Sequence, residues 1–70
     1  MEELKLRDEF IKLGQAMKAA GIVSSGIDAK MLIQDGQVTV NGEVETRRGK
    51  KLYDGDVFEF EQSLIHISEP

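Results

Sequence analysis

The chain contains no cysteine, a single histidine and only four aromatic residues, Phe10, Tyr53, Phe58 and Phe60, in 70 positions. Without cysteine there is neither a disulfide framework nor a thiolate metal site, so packing of the 40% hydrophobic residues has to hold the fold. A reducing, cytoplasmic setting is expected. His66 has no Asp, Glu or His partner at metal-ligand spacing, which favours a structural histidine over a ligand, and no metal or other cofactor is expected. No stretch approaches the roughly 20 apolar residues that span a bilayer, and the opening MEELKLRDEF is charged where a secretion signal would be apolar. No membrane partner is expected. Neither an internal repeat nor a low-complexity tract is visible, and a chain this short has room for one core only.

A catalytic constellation is also missing. Ser24 and Ser25 have no general base close in sequence, and helix capping already accounts for them. Gly49-Lys50 lacks the preceding glycine spacing and following Ser/Thr of a nucleotide-binding P-loop. The carboxylates near the C-terminus alternate with apolar residues, as on the wet face of a strand. No residue is assigned a catalytic role, and a non-enzymatic protein is expected.

What is present is organised around residues 24–42, SSGIDAKMLIQDGQVTVNG. Ser24 or Ser25 can accept a bond from an amide of a first helical turn, with Asp28 three residues after Ser25 to bond back. Ala29, Leu32 and Ile33 then recur at helical spacing as one apolar stripe, and Asp35-Gly36 ends the helix. Val38 and Val40 share one face of a strand, and Asn41-Gly42 is a strong signal for a tight hairpin turn, with a return strand over 43–46. Upstream, ELKL at 3–6 predicts a short strand with Leu4 and Leu6 inward, and Leu13, Ala16, Met17 and Ala20 predict a helix stopped by Gly21. Gly14 lies near that helix start, where its missing side chain allows close approach. Downstream, Asp54-Gly55 is a turn and DVFEFE an alternating strand. The final SLIHISEP can supply an edge strand before Pro70 blocks further pairing.

The formal charge of −4 opposes a nucleic-acid partner at first sight, because phosphates need cations. The distribution matters more than the sum. Acids gather at the two ends, whereas Arg47, Arg48, Lys50 and Lys51 fall within five consecutive positions, and a local field can be positive on an acidic protein. Those four cations can follow a phosphate backbone; from spacing alone, a solvated loop that keeps a sheet edge soluble is the more economical reading. Lys12, Lys18 and Lys30 avoid the apolar stripes and either extend the basic surface or solvate their helices, and the amides opening the second helix can receive a phosphate.

With these features in order, LGQAMKAAGIVSSG followed by DAKMLIQDGQVTVNGEVETRRGKKLYDGD resembles the S4 domain, the RNA-binding module first described in a small-subunit ribosomal protein. The likeness covers about residues 13–56 and is nearest to small free-standing bacterial members of the YaaA and YbcJ type. It implies an α+β fold, the alpha-L motif, with two short helices packed on a small mostly antiparallel sheet. The resemblance divides the chain into an RNA-binding domain over 1–62 and a C-terminal edge strand or non-native tail over 63–70, since SLIHISEP is unlike the family's usual ending. It points to Lys12, Lys18, Ser25, Gly26, Lys30, Arg47, Arg48, Lys50 and Lys51 as the RNA surface. Many S4 domains carry an arginine just after the serine that opens helix two; here that position is Gly26, which shifts weight to Lys30 and the RRGKK loop.

The expected function is binding of structured RNA, ribosomal RNA or a ribosome-assembly intermediate first and transfer RNA second, read through backbone and shape by a monomer. Few aromatics are available to stack on splayed bases, so sequence preference should be weak. Ribosomal or assembly proteins are possible neighbours. The rival reading is a protein-interaction adaptor that uses the acidic strand or a sheet edge.

Overall fold

The computed structural model describes residues 2–69, so the expectation for Pro70 lies outside the described residues. Ser25 opens helix α2 (Gly26–Gln34) as expected, its Oγ accepting a bond from the Asp28 amide at 3.2 Å. The return bond from the Asp28 carboxylate is not made. Ala29 and Ile33 on this helix are fully buried and Leu32 is half-buried, which is the stripe read from the sequence. Helix α1 (Leu13–Ala19) buries Leu13, Ala16 and Met17 and ends through Ala20 and Gly21, the latter at φ +78°. The two helices pack on each other and cover one face of a sheet.

Among the described residues there are seven strands: β1 (Glu2–Lys5), β2 (Ile11–Lys12), β3 (Val38–Val40), β4 (Glu43–Val44), β5 (Lys51–Leu52), β6 (Val57–Phe60) and β7 (Ser63–Ser68). Five of them form a sheet in the order β1-β7-β6-β3-β4, antiparallel except for the parallel β1–β7 pair, and β2 pairs with β5 as a separate antiparallel ribbon. The β3–β4 hairpin turns at Asn41 and Gly42, both with positive φ (51° and 86°), the geometry that Asn-Gly adopts most readily. β4 is shorter than the 43–46 return strand expected, although the Glu45 amide still reaches the Val38 carbonyl at 3.0 Å. Across the sheet, Val40, Phe58 and Ile65 lie opposite one another and are all buried, which sets the register of three strands with one apolar row.

The C-terminal segment corrects the expectation of an edge strand. β7 is the longest strand and lies inside the sheet, flanked by β1 on one side and β6 on the other, with Ile65 and Ile67 at 1% and 0% exposure. The strand was expected, but its place was not, because its turn is unmarked: Glu61 and Gln62 both adopt positive φ (50° and 70°) without the glycine or asparagine that usually marks such a hairpin. Residues 63–68 are therefore structural members of the same sheet, and the strand they form supports β1 through a parallel ladder.

Truncating Ile67 to alanine is expected to cost about 2–5 kcal/mol, a large part of the total stability of a small domain. Urea denaturation of Ile67→Ala checks this, and deletion of 63–70 should abolish cooperative unfolding. A fully folded deletion variant would show that β7 is dispensable.

Candidate nucleic-acid interface

The basic segment is held by the start of α1. The first amides of a helix have no partner inside it. Here the Leu13 amide donates to the Lys50 carbonyl at 2.8 Å and the Gly14 amide to the Arg48 carbonyl at 3.1 Å. Lys12 and Lys51 face each other across the β2–β5 ribbon, so the segment is tied down on its far side as well. Gln15 completes the turn, its Oε1 accepting from the Lys12 amide at 3.4 Å.

Close approach of the two backbones lays the Arg48 side chain across Gly14. A Cβ at Gly14 would stand 2.5 Å from Arg48 Cγ and 3.1 Å from its Cδ, so only glycine admits this side chain in its present course. The arginine then extends toward α2, where its Nη1 lies 3.9 Å from the place a Cβ at Gly26 would occupy. The guanidinium from the loop thus stands beside the position where many S4 domains carry an arginine of their own. Two glycines on different helices form the cradle.

A cleft of about 320 Å³ opens here, walled by Gly14, Gly26 and Gly49 and carrying the cations Lys12, Lys18 and Arg48. Among the described residues, no carboxylate lines it. The amides of Gly26 and Ile27 precede the first intrahelical bond of α2, made by Ala29 to the Ser25 carbonyl at 3.2 Å, and add positive potential at the α2 end. Beyond Gly49 lies a second groove of about 520 Å³, lined by Arg47, Lys50, Lys51 and Tyr53. Of the residues expected from the sequence, Lys12, Lys18, Gly26 and Arg48 therefore meet in one cleft, while Arg47, Lys50 and Lys51 line its neighbour. Ser25 is occupied as the cap of α2, and neither lining includes it or Lys30.

The cations are not equally available. Arg47 forks onto Glu45, with Nε to Oε2 at 3.0 Å and Nη2 to Oε1 at 3.3 Å, and the Arg47 amide donates to the same carboxylate at 3.0 Å. These bonds hold the Glu45 carboxyl below its ordinary pKa and raise that of Arg47. Lys50 also contributes to the lowering at Glu45, and it lines a further hollow with Glu43, Glu45 and Asp56. Lys51 is no loop residue but the first of β5, and its Nζ sits 4.8 Å from the centroid of the Phe10 ring, a cation–π distance. The sequence reading passed over Phe10 and Tyr53 as site residues. The available signal was an aromatic residue two places beyond Lys51.

Gly14→Ala should expel Arg48 from its cradle, because the added Cβ would stand 2.5 Å from Arg48 Cγ. Chemical shifts of the Arg48 side chain and Gly26 amide report that displacement. For the ion pair, the folded Glu45 pKa is depressed, so its small contribution is present above the unfolded value and fades as pH falls through the folded one. An NMR titration should find the Glu45 midpoint below the ordinary glutamate value and returned toward it in Arg47→Ala.

Known proteins share this architecture. The family model described as S4 domain matches residues 4–68. The chain is 45% identical over 58 residues to the "Probable ribosome maturation protein RlbA" of Bacillus subtilis, covering 83% of this chain and 82% of that one. It is 40% identical over 57 residues to the "Putative RNA-binding protein YbcJ" of Escherichia coli, covering 81% of each. The solution structure of YbcJ, described as revealing an alpha-L motif involved in RNA-binding, superposes with a TM-score of 0.74 at 32% identity, covering 97% of this chain and 87% of YbcJ. Two helices on a mostly antiparallel sheet, shared along nearly the whole length, are the alpha-L arrangement. With a family match running from the first strand to the last, the chain belongs to the S4 domain family.

Proposed function

We propose that this protein binds structured RNA without catalysing a reaction, seating backbone phosphates in the cleft between the starts of α1 and α2 and the 47–50 loop. The observation that carries the reading is the cleft lining: three cations converge on one hollow, and among the described residues no carboxylate shares it. Phosphate needs this combination, since a neighbouring carboxylate would repel it and an isolated lysine would hold it weakly. Arg48 offers a planar fork to a phosphate, while Lys12 and Lys18 act as point charges to either side. Arg47 contributes less, because Glu45 already occupies its fork.

The preferred ligand is ribosomal RNA or a ribosome-assembly intermediate, with transfer RNA second. The ribosome-maturation name of one relative and the RNA-binding name of another support this choice. A surface of phosphate-binding cations reads groove shape and backbone, since an RNA duplex presents phosphates and 2′-hydroxyls rather than readable base edges. A protein-interaction role is favoured by a different observation: Ile27 and Met31, one turn apart on α2, are 71% and 65% exposed.

Titration of a structured RNA against salt separates the two. Arg48→Ala and Lys18→Ala should each weaken binding and make the log-log salt slope shallower by about 0.7 to 0.9 per lost contact. Arg47→Ala should do less, and Glu45→Gln, which frees Arg47, should tighten binding. Equal affinity of Arg48→Ala and wild type at every salt concentration would sink the cleft as the RNA site.

A further inference from the structure

Tyr53, on the groove beside the cleft, belongs to an aromatic pair that lies outside the buried core. Tyr53 is 45% exposed, and its ring packs at 5.9 Å and 49° against Phe10, which Lys51 caps at 4.8 Å. The backbone beneath Tyr53 is pinned. Its amide donates to Asp56 Oδ2 at 2.7 Å, and its carbonyl accepts from the Asp56 amide at 3.0 Å. Asp56 Oδ1 in turn accepts from Asn41 Nδ2 at 3.0 Å, which ties the turn to the β3–β4 hairpin. The carboxylates of this turn are thus engaged with protein donors, Asp54 accepting from the Glu69 amide at 3.0 Å. What faces the groove is a half-exposed ring flanked by Arg47, Lys50 and Lys51.

We propose that Tyr53 stacks on an unpaired nucleobase of the RNA whose phosphates occupy the neighbouring cleft. The inference rests on the RNA-binding reading and narrows it: the favoured ligand is a duplex interrupted by a bulge or ending in an overhang, not a continuous one. The bases of a continuous duplex have no free face, whereas an unpaired base offers one to any accessible ring. A nucleotide also matches the groove in charge, because its base meets the ring and its phosphate meets Lys50 and Lys51, Arg47 being engaged by Glu45. Gly49 lines both hollows, so a backbone leaving the cleft enters the groove without crossing a side chain at that point. Phe10 packs on the ring at 5.9 Å and restricts its orientation. Every base has an aromatic face, so one stacking residue selects for an unpaired position with little regard to its identity.

The test uses two blunt-ended, two-stranded RNA duplexes that differ only in a single bulged nucleotide, with wild type, Tyr53→Ala and Tyr53→Phe. Tyr53→Ala should weaken binding of the bulged duplex roughly tenfold or more. Its affinity for the continuous duplex and its salt slope should be unchanged, and Tyr53→Phe should bind as wild type. Because the chain has one tyrosine, the tyrosine ring protons report this residue alone, and they should move upfield with the bulged RNA only. Should Tyr53→Ala misfold, that shift in wild type decides the matter. Equal losses on both duplexes, no loss on either, or unmoved ring protons in the bulged complex would overturn the stacking role. If Arg48→Ala still weakens binding in that case, the phosphate cleft stands and only stacking falls; if wild type binds neither duplex, the RNA reading falls with it.

Discussion

Two backbone hydrogen bonds at the start of α1 hold the functional end of this protein together. A helix needs acceptors for its first amides, and a loop rich in cations needs donors for its carbonyls if it is to lie against protein at all. The bonds from Leu13 to Lys50 and from Gly14 to Arg48 meet both needs at once. One consequence is positional, since Arg48 is laid over Gly14 and aimed at the start of α2. Another is chemical: those amides are spent, so α1 contributes side chains to the cleft while the free amides belong to α2.

The acidic balance of the chain and its basic cleft are compatible because charge acts over short distances in salt, about 8 Å under physiological conditions. A net charge of −4 therefore says little about one hollow. What matters is which carboxylates come near, and Glu45 shows the effect by engaging Arg47 and drawing on Lys50. The fold divides the four basic residues clustered in the sequence: Arg47 is bonded to a carboxylate, whereas Arg48 lies in a cleft whose lining, among the described residues, holds none. Arg48 owes its freedom to the glycine cradle, which takes it away from the hairpin where Glu43 and Glu45 sit.

The sheet shows where local signals run out. Helix α2, its serine cap, the β3 alternation and the Asn-Gly hairpin were legible because each depends on residues a few positions apart. For β7 the strand was legible but its position was not, since the Glu61-Gln62 turn carries no marker residue and the strand's place between β1 and β6 depends on partners at opposite ends of the chain. An apolar segment with Leu64, Ile65 and Ile67 looks the same in sequence whether it ends a sheet or fills its middle.

By itself, the sequence determined the helix boundaries, the hairpin, the family resemblance and the presence of a basic run, all of which follow from short-range propensity and spacing. Only the tertiary structure decided which cations converge. Lys12 and Lys18 join Arg48, Lys30 lines neither hollow, and Tyr53 comes to stand among Arg47, Lys50 and Lys51. The physical reason is that a side chain's electrostatic partners are set by neighbours in space, and those depend on which amide of α1 meets which carbonyl of a loop more than thirty residues away.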